Sequence, residues 1–83
     1  MEPFMAQVVV FSFSFAPSGW LPCDGRLLPI NQNTILYTLI GNRFGGDGRT
    51  SFALPDYREI APKGSTYCIC VKGQFPPRGV AAA

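Results

Sequence analysis

Histidine is absent from all 83 residues, which removes the ordinary Ser-His and Cys-His nucleophile pairs and leaves any metal site to thiols and carboxylates. Acidic residues are few: Glu2, Asp24, Asp47, Asp56 and Glu59 are the whole set, and most stand in turn-like stretches. Seven basic residues are scattered along the chain and the net charge is only +2, so no cluster forms that would displace counterions from nucleic acid. No run approaches the roughly 18 apolar residues of a membrane span, and Met1-Glu-Pro-Phe-Met5 lacks the basic start of a secretory signal. Together these absences predict no catalytic residue, no cofactor, no metal, no nucleic-acid partner and no membrane span. The residual pairs, Ser65 near Lys63 and Asp56 with Glu59, are what an ordinary solvated loop produces. A chain made in a cytoplasm, and leaving it within a particle if at all, is the expectation.

Cysteine occurs three times, at Cys23, Cys68 and Cys70, so at least one thiol is unpaired within a single subunit. On a strand, Cys68 and Cys70 point to one face, a spacing that suits small buried side chains better than an intra-strand disulfide. Buried free thiols are the first expectation. A disulfide from Cys23 to one of the other two is the alternative, with metal or intermolecular chemistry third.

What is present is apolar and turn-rich. Hydrophobic residues make up 47% of the chain, beside nine glycines and eight prolines, which is too apolar for disorder and too interrupted for a helical bundle. A chain of this length buries only about 60–65% of the surface its unfolded form exposes. Residues 1–83 therefore read as one α+β domain, small and mainly β; a core completed at a subunit interface is the first expectation, and a compact monomer with an ordinary apolar surface is the alternative.

Gln7-Val-Val-Val-Phe-Ser-Phe-Ser-Phe15 alternates, with Val9, Phe11, Phe13 and Phe15 on one face, and reads as a half-buried strand. Pro17-Ser-Gly19 is a turn, and Trp20 is expected to cover one end of the core. Leu21 to Leu28 reads as two short strands around Asp24-Gly25, the dipeptide of a tight hairpin, with Pro22 marking the first as an edge strand. Ser51-Phe-Ala-Leu-Pro55 is an extended anchor carrying Phe52 and Leu54 on one side. Tyr57 to Thr66 is a polar connector, and Thr66 to Lys72 the last strand, with Tyr67, Ile69 and Val71 alternating against Cys68 and Cys70. Gly73 to Arg78 is expected to be extended with Phe75 packed, and Ala81 to Ala83 frayed.

Between these strands lies one short helix, about residues 32–40. Asn31 is its expected N-cap, Ile30 and Ile35 its hydrophobic staple, and Ile35, Leu36, Leu39 and Ile40 its apolar stripe, with Gly41 just past the end. Gly41-Asn-Arg-Phe-Gly-Gly-Asp-Gly-Arg-Thr50 follows. It is not a phosphate cradle, since the helix precedes the loop and no Gly-Lys-Ser/Thr opens a helix. Nor is it a calcium loop, because Asp47 stands without the regularly spaced carboxylates such a loop needs. Asp47 is expected to make local turn hydrogen bonds, and Arg43 and Arg49 to fasten the loop to backbone carbonyls or to Asp56.

Phe15-Ala-Pro-Ser-Gly-Trp20, Cys23-Asp-Gly-Arg-Leu-Leu-Pro-Ile30, Gln32-Asn-Thr34, Gly45-Gly-Asp-Gly-Arg-Thr-Ser-Phe-Ala-Leu-Pro-Asp56 and Tyr67-Cys-Ile-Cys-Val-Lys-Gly-Gln-Phe-Pro-Pro-Arg78 stand in one order along the chain. In that order they resemble the tail collar domain of tailed bacteriophages and the related microcystin-dependent-type proteins, over residues 3–58 and 67–78. Relatives usually carry a long, glycine-rich, variable segment between the last two blocks, where receptor-contacting variability is expected. Here Tyr57 to Thr66 bridges that gap directly, so the resemblance implies the scaffold rather than the receptor-reading part.

The resemblance implies a structural, non-enzymatic component of a phage tail, baseplate or tail fibre, carried in the virion, that self-associates as a trimer and supports host attachment. Partners would be other copies of the chain, other tail or fibre proteins and a host surface glycan. Phe11, Phe13, Trp20, Phe44, Phe52 and Phe75 are the packing or interface candidates, and Gly45, Gly46, Asp47, Gly48 and Arg49 the exposed-loop candidates. The alternative is an adhesin or a carbohydrate- or small-molecule-binding module stacking its ligand on Trp20, Tyr37 or Tyr57. A folded prophage remnant without a partner is a third reading.

Overall fold

The computed structural model describes residues 3–77; Arg78 and the expected fraying of Ala81–Ala83 lie outside them. Five short strands and one helix follow in the order β1 (Val8–Phe11), β2 (Trp20–Pro22), β3 (Leu27–Pro29), α1 (Thr34–Ile40), β4 (Ser51–Ala53) and β5 (Thr66–Cys70). Strand β5 is the middle of an antiparallel three-stranded sheet, β1-β5-β2, while β3 and β4 form a separate antiparallel pair. The fold is thus α+β and mainly β, as its alternating runs and single helical stripe imply.

The last strand to appear in the chain is the one both β1 and β2 depend on. Its composition, Thr-Tyr-Cys-Ile-Cys, suits a central strand, and Cys68, Ile69 and Cys70 are all buried, so both of its faces are covered. Opposite it, β1 runs from Val8↔Ile69 to Phe11↔Thr66. The strand anticipated over 7–15 ends at Phe11 because β5 offers no partner beyond Thr66. The chain past that point is held by the Thr66 hydroxyl, which donates to the Phe13 carbonyl at 2.8 Å.

At the other end of β1, a tight turn closes from the Gln7 N–H to the Phe4 carbonyl at 3.1 Å. Ala6 occupies its third position with φ 71°, a left-handed conformation that usually goes to glycine. Ala6 donates to the Cys70 carbonyl while Cys70 donates to the Gln7 carbonyl, each at 2.9 Å. Two residues therefore oppose one, which is a β-bulge.

Asp24-Gly25 does not close a hairpin. Strand β2 pairs with β5 through Pro22↔Cys68, and β3 pairs with β4 through Leu28↔Phe52, so Cys23–Arg26 crosses from one sheet to the other. Non-local bonds fix this crossing: Cys23 donates to the Tyr67 carbonyl at 2.8 Å, Tyr57 to the Cys23 carbonyl at 2.9 Å and Leu54 to the Arg26 carbonyl at 2.9 Å. Pro22 does stand on an edge strand, where its missing N–H leaves no gap in the ladder.

The helix starts later than its apolar pattern implies. A 3-10 turn occupies Ile30–Gln32, moving the cap position from Asn31 to Asn33, whose side-chain amide donates back to the Pro29 carbonyl at 3.0 Å. Ile35 is half exposed and staples nothing to the core, while Leu36 is buried. The C-terminal end is as anticipated: Gly41 has φ 62° and its N–H bonds the Tyr37 carbonyl at 2.7 Å. Cys23, Leu36, Phe52, Leu54 and Ile69 form the core, so helix, crossing segment and both sheets meet at one place. No helix of the described residues is long and apolar enough to cross a membrane.

Candidate functional site

Among the described residues, strand β1 is an edge. The Gln7 carbonyl faces β5, and by antiparallel alternation Val8 and Val10 turn their own N–H and C=O groups away from it. Both valine side chains are exposed. Continuing from that edge, Phe11 stacks on Phe13 at 5.0 Å and Phe13 on Phe15 at 4.5 Å, while Trp20 meets Phe11 edge-on at 5.2 Å. The ladder runs outward: Phe11 is half-buried and Phe15 is 62% exposed. Residues 3–23 contain no charged side chain. Natural edge strands are commonly guarded by lysine, proline or a bulge; this one has a bulge at its start and nothing along its length.

The glycine-rich loop folds back on β4. Asp47 anchors it, its Oδ1 accepting from the backbone N–H groups of Arg49, Thr50 and Ser51 at 2.8–3.0 Å and its Oδ2 from the Thr50 hydroxyl at 2.8 Å. Those bonds to the ionised form hold its carboxyl well below the usual range. Gly46 lies so close to β4 that a Cβ there would sit 2.5 Å from Phe52 Cα. Tyr37 donates to the Gly48 carbonyl at 3.3 Å, and Ala53 to the Gly45 carbonyl at 3.0 Å. The turn bonds anticipated for Asp47 are present. Arg43 does fasten to a backbone carbonyl, that of Ile40 at 3.1 Å. Asp56, however, is paired by Arg58 at 2.7 Å, the basic residue two positions further along the chain.

Among the described residues no group of three or more Cys, Asp or Glu side chains is placed to hold a metal ion. Asp56 accepts two hydrogen bonds from the Arg58 guanidinium, and the Ser65 hydroxyl donates to the Pro62 carbonyl. All three cysteines are buried and free. Burial first, then the neighbouring Cys68 and Asp24, push the Cys23 thiol up to about 12, which keeps it protonated and unreactive at neutral pH.

The six aromatic candidates separate by depth. Phe52 is fully buried and 5.3 Å from Tyr37, a core residue rather than a surface one. Phe11 and Trp20 are half-buried; Phe13 and Phe44 are exposed. Phe75, anticipated as packed, is 53% exposed; pairing in this segment stops, among the described residues, at the bridge from Gln74 to Phe4. Of the loop residues, Gly46, Asp47 and Arg49 are exposed and Gly45 and Gly48 partly covered. Two groupings were not anticipated: the bare β1 edge with Phe15 at its end, and a cavity lined by Tyr57 and Tyr67. The uncharged run of residues 3–23 signals the first; the second depends on non-local pairing that no local pattern carries.

Mostly short strands, a loop tied to its own scaffold and an uncovered aromatic edge define a small β-rich structural module. The phage tail collar domain family model matches residues 6–62, more than half of the chain, and the chain belongs to that family, whose role is structural, in the phage tail. No curated protein matches it, and no solved structure does. The matched residues end before β5, so the strand that closes the three-stranded sheet lies outside the match.

Proposed function

We propose that the chain is a minimal collar-type component of a tail, baseplate or tail fibre that self-associates as a trimer and supports host attachment beside other tail proteins. It is made in the host cytoplasm and carried in the virion. The observation behind self-association is the β1 edge: backbone groups on Val8 and Val10 that pair with no other described residue, a stacked Phe11-Phe13-Phe15 ladder and no charge in residues 3–23. Such an edge is a template for another chain, and a small domain gains the burial it lacks by covering it. The trimer itself follows from the collar resemblance.

The test is a charge on that edge. Val10→Lys places an ammonium on an already exposed position and leaves the β5 pairing intact. An assembly through β1 then falls apart in sedimentation velocity while the melting temperature of the chain changes little. An unchanged sedimentation coefficient contradicts the reading. The second reading, a saccharide- or small-molecule-binding module, is favoured by the cavity at Tyr57 and Tyr67.

A further inference from the structure

The short connector from Tyr57 to Thr66 does more than join β4 to β5. It arches over the crossing segment Pro22–Asp24 and leaves a cavity of about 260 Å³, walled by Tyr57, Tyr67 and Ala61, with Asp24, Arg58 and Ser65 among its polar groups and Cys23 also lining it. We propose that this cavity binds a single neutral pyranose ring, free or as the terminal unit of a glycan.

Size, walls and charge each support that ligand class. The volume lies below the roughly 300–1,000 Å³ of sites for drug-sized ligands, so it takes one ring rather than an oligosaccharide. Tyr57 and Tyr67 stand 5.6 Å apart with their planes at 69° and both pack against the core. They thus offer a rigid aromatic corner to the C–H face of a sugar. Among the described residues neither phenol hydroxyl has a protein hydrogen-bond partner, leaving two groups that can donate or accept.

The charges at this cavity are already balanced. Asp24 is paired with Arg26 at 3.0 Å and Arg58 with Asp56 at 2.7 Å, so an ionic ligand would find no uncompensated opposite charge. Each pair nevertheless keeps unused capacity. Asp24 accepts three bonds from Arg26, while a carboxylate has about four lone-pair sites. Arg58 uses Nε and Nη2 on Asp56, leaving Nη1 to donate. One spare acceptor, one spare donor nitrogen and two phenols form a set for ring hydroxyls. Trp20 and Tyr37 do not line this cavity, and the Tyr37 hydroxyl is already bonded to the Gly48 carbonyl.

Saturation-transfer NMR on the full chain tests the site with free hexoses, free N-acetylhexosamines and their methyl pyranosides as probes, and inorganic phosphate in competition. A neutral pyranose should receive saturation, phosphate should not displace it, and Tyr57→Ala should weaken its binding at least tenfold with the circular dichroism unchanged. Binding of the methyl glycosides assigns the ligand to glycan termini; binding of free sugars alone assigns it to the free sugar. Should Tyr57→Ala not fold, amide shift changes in the wild-type chain must map to Ala61, Ser65, Thr66 and Tyr67. No binding at millimolar sugar, shifts elsewhere, or undiminished binding by a folded Tyr57→Ala overturns the proposal. Self-association through β1 involves other residues, and an unchanged mass of Tyr57→Ala separates the two ideas.

Discussion

Asp24 and Asp56 face each other across an isolated antiparallel bridge, and each carboxylate is held by the arginine two residues further on. Arg26 donates from Nε at 3.1 Å and Nη2 at 3.0 Å; Arg58 does the same at 2.9 and 2.7 Å. Like charges directly opposite one another destabilise a strand pair. Here each carries its own counter-charge, and the same Asp-x-Arg unit is used twice where the crossing segment meets the end of the β3-β4 ladder.

Acid should therefore loosen this junction. Hydrogen bonding from Arg58 lowers the Asp56 pKa from 3.8 to about 2, and Asp24 is shifted downward by Arg26. A depressed folded pKa contributes stability above the unfolded value that is lost as pH falls through the folded one. Melting temperature should hold above pH 4 and decline between pH 4 and pH 2, less steeply in Asp56→Asn. A flat profile over that window in the wild-type chain contradicts the pairing.

How much of this was legible in the sequence depends on how local each signal is. The helix stop at Gly41 and the Asp47 loop are decided by neighbours a few residues away, and Pro22 signals an edge through its own missing N–H; each stands as its residue chemistry implies. Asp24-Gly25 carries an equally strong local signal and misleads, because Cys23 donates to Tyr67 and accepts from Tyr57 while Arg26 accepts from Leu54. Asn31 loses the cap to Asn33 because the chain enters through a 3-10 turn, which an apolar stripe does not distinguish from the first helical turn. The uncharged edge was visible but mute until β5 was seen to cover one side of β1 only. The Tyr57–Tyr67 corner exists only once the connector is folded over Cys23.

Thiol accessibility checks the core. With Cys23, Cys68 and Cys70 buried and free, a disulfide-exchange reagent at pH 8 should release almost no signal from the native chain and three equivalents in guanidinium. Because burial raises the Cys23 pKa from 9.0 to about 12, the stability that this thiol contributes should be fully present below pH 9 and be lost between pH 9 and 12, as the unfolded thiol ionises first. A thiol that reacts rapidly in the native state overturns the placement.

Two backbone substitutions should move stability in opposite directions. Ala6→Gly relieves a left-handed alanine and should stabilise by about 0.5–1 kcal/mol. Gly46→Ala adds a Cβ against the Phe52 backbone at φ 91° and should cost at least about 2 kcal/mol. Urea denaturation of the two variants decides; equal midpoints would contradict the turn and loop geometry.

Phe52 and Phe15 separate packing from surface. Phe52→Ala should cost about 3–5 kcal/mol, as for a large aromatic removed from a core, while Phe15→Ser, at a position 62% exposed, should leave the melting temperature within a degree or two and weaken self-association. Differential scanning calorimetry reads the first effect and concentration-dependent sedimentation the second. A large stability loss in Phe15→Ser would place that ring in the core of the subunit instead.

The central claim is that the uncharged β1 edge is covered by other copies of the chain, and the mass in solution by multi-angle light scattering, with and without reductant, addresses it most directly. The account predicts three times the 9.0 kDa chain mass, unchanged by reductant because the three thiols are buried within each subunit. A single-chain mass across the accessible concentration range would contradict it.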